Sequence, residues 1–162
     1  MTLSEQKEKK PPYEELSATL LTDQPKEIFD DFIKYLKSVK LQPKWYATNA
    51  YNVKFKGKMI LRFTLNTDNT VSLFFTVGKA GDMDATISSL SPDIQKFYFD
   101  NLRRCTECNP SHNGGKKVTI LGTVYGCCAE PEMLIKNPSM EQVEYLKKFV
   151  QARKEKINAY SA

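Results

Sequence analysis

The chain has 162 residues, 41% of them apolar and 11% aromatic, which is enough for one hydrophobic core and short for two. Twenty-four basic against nineteen acidic residues give a net charge of +5, and the runs "KEKK" at 7–10 and "RKEK" at 153–156 interleave glutamate near the ends, so neither reads as a nucleic-acid arm. The longest uncharged apolar stretch, 118–129, is too short for a transmembrane helix, and the charged N-terminus lacks the apolar run of a secretory signal; a cytoplasmic setting without membrane contact is expected.

Residues 1–12 are polar and end in a Pro11-Pro12 stop, so a flexible N-terminal tail over 1–20 is expected ahead of a single domain over 21–162. From Asp23 and Pro25, Ile28, Phe29, Phe32, Ile33 and Leu36 recur at helical spacing with charged residues opposite, which predicts an amphipathic helix. The runs "PKWYAT", "NVKFK", "KMILRFTLN" and "TVSLFFTV" read as strands, separated by "TNAY", Gly57 and "TDN", and so predict three or four antiparallel strands in a meander. Asp82 and Asp84 mark a helix start, where negative charge is favoured. "SPDIQKFYFDNLRR" has a serine cap, proline at the first helical position, and Ile94, Phe97, Tyr98 and Leu102 on one face. Near the C-terminus Ser139 and Gln142 have capping-box spacing, and Val143, Leu146, Phe149, Val150 and Ile157 form the stripe of a long helix. The fold class expected is α+β: an antiparallel meander packed against an N-terminal helix and a long C-terminal helix, with a Cys-rich loop at 104–130.

That loop holds all four cysteines and the one histidine, in "RRCTECNPSHNGGKKVTILGTVYGCC". Cys105 and Cys108 form C-x-x-C, a spacing that aims two thiolates at one tetrahedral ion. The second half of the site is expected from Cys127 or Cys128 after the strand-turn-strand "KVTILGTVYG", with His112 as an alternative fourth ligand. Adjacent residues on a strand face opposite ways, so one of Cys127 and Cys128 is expected to pack rather than ligate, with Cys128 placed ahead as ligand. A closed four-ligand site is structural, which predicts a structural zinc. Reduced, packed thiols are the plain competing reading. A redox pair at Cys105 and Cys108 is less favoured, because it would follow a helix C-terminus rather than open a helix.

"PKWYATNAYNVKFKGK" at 43–58 interleaves aromatic and basic residues, as a face for single-stranded nucleic acid does. Its alternation equally describes a half-buried strand pair, with Tyr51, Val53 and Phe55 inward and Asn52, Lys54 and Lys56 outward, and that reading is preferred. Trp45 and Tyr46 are adjacent and cannot both face inward. Gly114-Gly115-Lys116 lacks the rest of a phosphate-loop pattern and reads as a turn. With His112 assigned to the cysteine loop, the sequence offers no Ser-His-Asp or Cys-His-Asp set.

The stretches "PPYEEL" at 11–16, "LQPKWY" at 41–46 and "NVKFKGKMILRFTL" at 52–65 resemble small bacterial proteins in a family of unknown function. The segment "IKNPSMEQVEYLKKFVQARKEKI" at 135–157 is similar to the tail of Firmicute proteins with cysteines at comparable places. The resemblance implies an α+β fold akin to the YjbR-like group and a bacterial cytoplasmic setting, and carries no activity or catalytic residue with it. The function expected is a binding domain with a structural zinc, its ligand contacts on a sheet face or a sheet–helix groove at Trp45, Tyr46, Arg62 and Tyr125. The partner is a small molecule or a protein, with nucleic acid ranked behind them. The alternative is a thiol-disulfide protein using Cys105 and Cys108.

Overall fold

A computed structural model describes residues 2–76, 83–102, 117–120, 122–126 and 132–160. The order of elements is α1 (Leu3–Lys9), α2 (Tyr13–Leu20), α3 (Asp23–Ser38), β1 (Pro43–Ala47), β2 (Ala50–Phe55), β3 (Lys58–Leu65) and β4 (Val71–Thr76). Then come α4 (Asp84–Ser88), α5 (Pro92–Asn101), β5 (Lys117–Ile120), β6 (Thr123–Gly126), β7 (Glu132–Lys136) and α6 (Met140–Ala159). The fold is α+β, as the sequence predicts. Its main sheet is antiparallel with strand order β1-β2-β3-β4-β7, and β5 and β6 form a separate hairpin.

The meander follows from local turn chemistry. Lys56 and Gly57 both take positive φ, 46° and 76°, the pairing that lets a two-residue turn match the twist of its flanking strands. Asn49 and Asn69 supply the left-handed residues of the other two turns. Asn69 also accepts from the Thr22 backbone N–H at 2.8 Å, which ties the β3–β4 turn to the start of α3. The fifth strand, β7, is not anticipated by the sequence reading. It pairs with β4, Phe74 opposite Leu134, after a long excursion of the chain.

One face of the sheet carries the core. Val53, Leu61, Phe63, Leu65, Leu73, Phe75, Met133 and Ile135 are buried there against the apolar stripes of α3, α5 and α6. A register irregularity in the β2–β3 pairing leaves Ile60 without an opposite residue, and both Ile60 and Leu61 are buried, as a bulge allows. All five predicted apolar residues of α3 are buried, and the capping box of Ser139 and Gln142 opens α6 as its spacing predicts. Two aromatic clusters fill the layer: Tyr13, Phe29, Tyr51 and Phe63 at one end, and Phe75, Phe97, Tyr98 and Phe149 at the other.

The expectation of a tail over residues 1–20 is corrected. Two helices form there, and Tyr13, Leu16 and Ser17 are buried. Thr2 and Glu5 make a capping box that starts α1. Gln6, itself buried, donates to Asn49 Oδ1 at 2.7 Å and accepts from the Asn49 N–H at 3.0 Å, gripping the β1–β2 turn. Pro11 is a linker rather than a stop: its carbonyl accepts from the Tyr51 hydroxyl at 2.8 Å. Burial pushes the Tyr51 phenol far above its ordinary range, so it remains a neutral donor.

Candidate functional site

The strand pairing fixes which residues share the face opposite the core. One row runs Lys44, Asn52, Arg62, Phe74 and Leu134 across all five strands, and none of the five is buried. At the β1 end this row opens into a basin of about 630 Å³ lined by Lys10, Gln42, Lys44, Trp45, Tyr46, Asn52, Lys54 and Gly57. Three of these are lysines, two are aromatic, two are amides, and no lining residue is acidic.

A register shift between Trp45 and Ala47 leaves Tyr46 as the extra residue of a β-bulge on the edge strand. That resolves the adjacency of Trp45 and Tyr46. Trp45 is partly buried and packs against the core, while Tyr46 stays 50% exposed. The Arg62 guanidinium lies 4.3 Å from the Tyr46 ring centroid, and Arg62 Nε donates to Asn52 Oδ1 at 3.1 Å. The amide therefore helps to hold the guanidinium over the ring. Trp45 Nε1 is buried with no hydrogen-bond partner among the described residues.

Charge is unevenly placed along the chain. Residues 32–67 contain eight lysines and arginines and no carboxylate, so the other 126 residues hold sixteen basic against nineteen acidic side chains. The whole positive excess belongs to the end of α3 and to strands β1 to β3. Such a field favours anions at the basin and is not offset by an acidic neighbour within it.

Of the four ligand contacts expected from sequence, the structure brings Trp45, Tyr46 and Arg62 together. Tyr125 stands in β6, opposite Val118 of the separate hairpin, and its side chain lies outside the described residues. The sequence reading missed Lys10, Gln42, Lys44, Asn52 and Lys54. The acid-free run at 32–67 was the available signal for most of them. Lys10 was hidden by the reading of residues 1–20 as a tail; it caps α1 with φ 47° and joins the basin from outside that run.

The metal ligands expected from sequence, Cys105, Cys108, His112, Cys127 and Cys128, lie outside the described residues. Among the described residues no group of three or more His, Cys, Asp or Glu side chains is placed to hold a metal ion. No helix among them is long and apolar enough to cross a membrane. Comparison with protein-family models, curated proteins and solved structures finds no match.

Proposed function

We propose that this chain is a ligand-binding domain whose site is the basin at the β1 edge, and that its ligand is an anion. The observation that carries the reading is an acid-free lining of three lysines around a Tyr46–Arg62 stack. Lys44 reaches the basin from β1, Lys54 from β2 and Lys10 from α1, so an anion there meets charge from three elements. Inorganic pyrophosphate is the simplest probe. Titrated at low salt, it shifts the backbone amide resonances of 44–54 saturably in the wild-type chain and not in a Lys44→Glu, Lys54→Glu double variant. A wild-type spectrum indifferent to pyrophosphate removes the reading.

The same proposal gives the chain a structural zinc, held by Cys105, Cys108 and one or both of Cys127 and Cys128, with His112 as the alternative fourth ligand. Spacing supports it, and so do two described pairings that flank the thiols in sequence. Leu102 bridges Met133, and Lys117 pairs with Gly126. Cys105 follows Leu102 by three residues and Cys127 follows Gly126 directly, so the two limbs that carry the cysteines are joined at both ends. Zinc contributes roughly 10–16 kcal/mol to the folding of small peptides, enough to fix such a segment. Protein purified without affinity metals is expected to hold about one zinc per chain, lost in a Cys105→Ser, Cys108→Ser variant. Metal-free protein with an oxidised Cys105–Cys108 pair would instead favour thiol-disulfide chemistry.

A further inference from the structure

We infer that the occupant of the basin is a single-stranded nucleic acid, its bases stacking at the Tyr46–Arg62 platform and its phosphates lying along Lys44, Lys54 and Lys10. This inference rests on the anion-binding reading above and narrows it to one chemical class.

Three features choose this class over an acidic peptide. The first is the platform itself. Tyr46 is an aromatic residue on an edge bulge, half exposed, with a guanidinium already laid on its ring. A guanidinium over a tyrosine ring adds a stacking surface for a nucleobase to the ion pair that a carboxylate or a phosphate alike could form with it.

The second is spacing. Lys44 lies opposite Asn52, and Lys54 is two residues farther along β2 on the same face. Such diagonal cross-strand neighbours sit about 7–8 Å apart at their backbones, a separation long side chains convert readily into the step between successive phosphates. A lone anion needs only one such charge; a chain of phosphates needs successive ones.

The third is the presence of base-reading groups. The side-chain amides of Gln42 and Asn52 line the basin. They offer donors and acceptors beside the stacking surface, as single-strand recognition uses.

Trp45 is the one tryptophan of the chain, so its fluorescence reports directly on the site. The experiment titrates the full chain with a labelled oligothymidine of about ten nucleotides, the matching duplex, and poly-glutamate, following anisotropy and Trp45 emission. Expected are saturable binding of the single strand with a change in Trp45 emission, and weaker binding of the duplex. Tyr46→Ala lowers single-strand affinity about tenfold or more while Tyr46→Phe retains it, as base stacking requires. The Lys44→Glu, Lys54→Glu variant flattens the salt dependence by about 1.4 in the logarithmic slope, two phosphates at roughly 0.7 each. Circular dichroism on each variant separates these losses from unfolding. Pyrophosphate binding without oligothymidine binding overturns this inference and leaves the anion site standing. Tighter binding of poly-glutamate overturns it in favour of an acidic protein partner, and indifference to every anion removes both readings.

Discussion

Tyr51 shows how a single side chain joins two parts of the molecule. It is buried, its ring stacks on Phe63 with centroids 5.3 Å apart, and its hydroxyl reaches the Pro11 carbonyl. Removing the hydroxyl alone leaves that carbonyl without its partner in a place water does not reach. Tyr51→Phe is therefore expected to destabilise the fold by about 1–3 kcal/mol in urea unfolding, with faster hydrogen exchange in α1 and α2. Hydrogen exchange confined to the β2 strand would show that Pro11 is held by other contacts. The alternation that put Tyr51 inward was legible in the sequence; its partner was not, because nothing in residues 1–12 signals that a proline carbonyl will meet a tyrosine forty residues on. At Trp45 and Tyr46 the sequence showed that the two must diverge, and the bulge decided which turned out.

Between elements, legibility followed periodicity. Helices α3, α5 and α6 and strands β1 to β4 were readable because each has a long apolar period of its own. The two N-terminal helices have short, weak stripes, and the paired prolines between them look like a terminus when they are a hinge point between α1 and α2. Strand β7 has five residues and its partner lies some sixty residues earlier, so no local pattern announces it. The contact between α3 and α6 is likewise non-local. Lys147 Nζ donates to Asp31 at 2.6 Å and to Glu144 at 2.6 Å, while the Tyr35 hydroxyl donates to the Lys147 carbonyl at 2.8 Å. Burial alone would lower the Lys147 pKa, but the Asp31 and Glu144 carboxylates outweigh it and raise it above 10.5. A raised lysine pKa contributes stability that is complete below the unfolded-state value and lost as pH climbs through the folded one. Lys147→Met should thus lower the urea midpoint at neutral pH, and the gap to wild type should close as pH rises through the raised lysine pKa. A gap that stays constant into the alkaline range would show that the ion pairs contribute nothing.

At the scale of the whole molecule, two features of the sequence point to different parts of the proposed function, and only one of them falls among described residues. The aromatic and basic stretch at 43–58 was read as core first and binding face second; it forms a buried face and an open one, with Tyr51 and Val53 buried and Lys44, Tyr46 and Lys54 turned out. A strand has two faces, and a pattern that satisfies one leaves the other free for recognition. The net charge of +5 hid the site, because an average over 162 residues conceals an eight-to-zero imbalance in thirty-six of them.

The late return of β7 divides the chain in an unusual way. Everything before residue 103 supplies four adjacent strands and five helices, whereas residues 132–160 supply the closing edge strand and the helix whose Phe149 fills the second aromatic cluster. A polypeptide of residues 1–102 made separately from one of 132–162 should accordingly find its complement in solution, through a ladder of main-chain bonds and a preformed apolar slot. Mixing the two pieces and recording a gain of secondary structure over the sum of their separate spectra measures that reassembly. The seam of this protein runs along one edge of its sheet, and its two pieces are expected to behave as host and added edge strand.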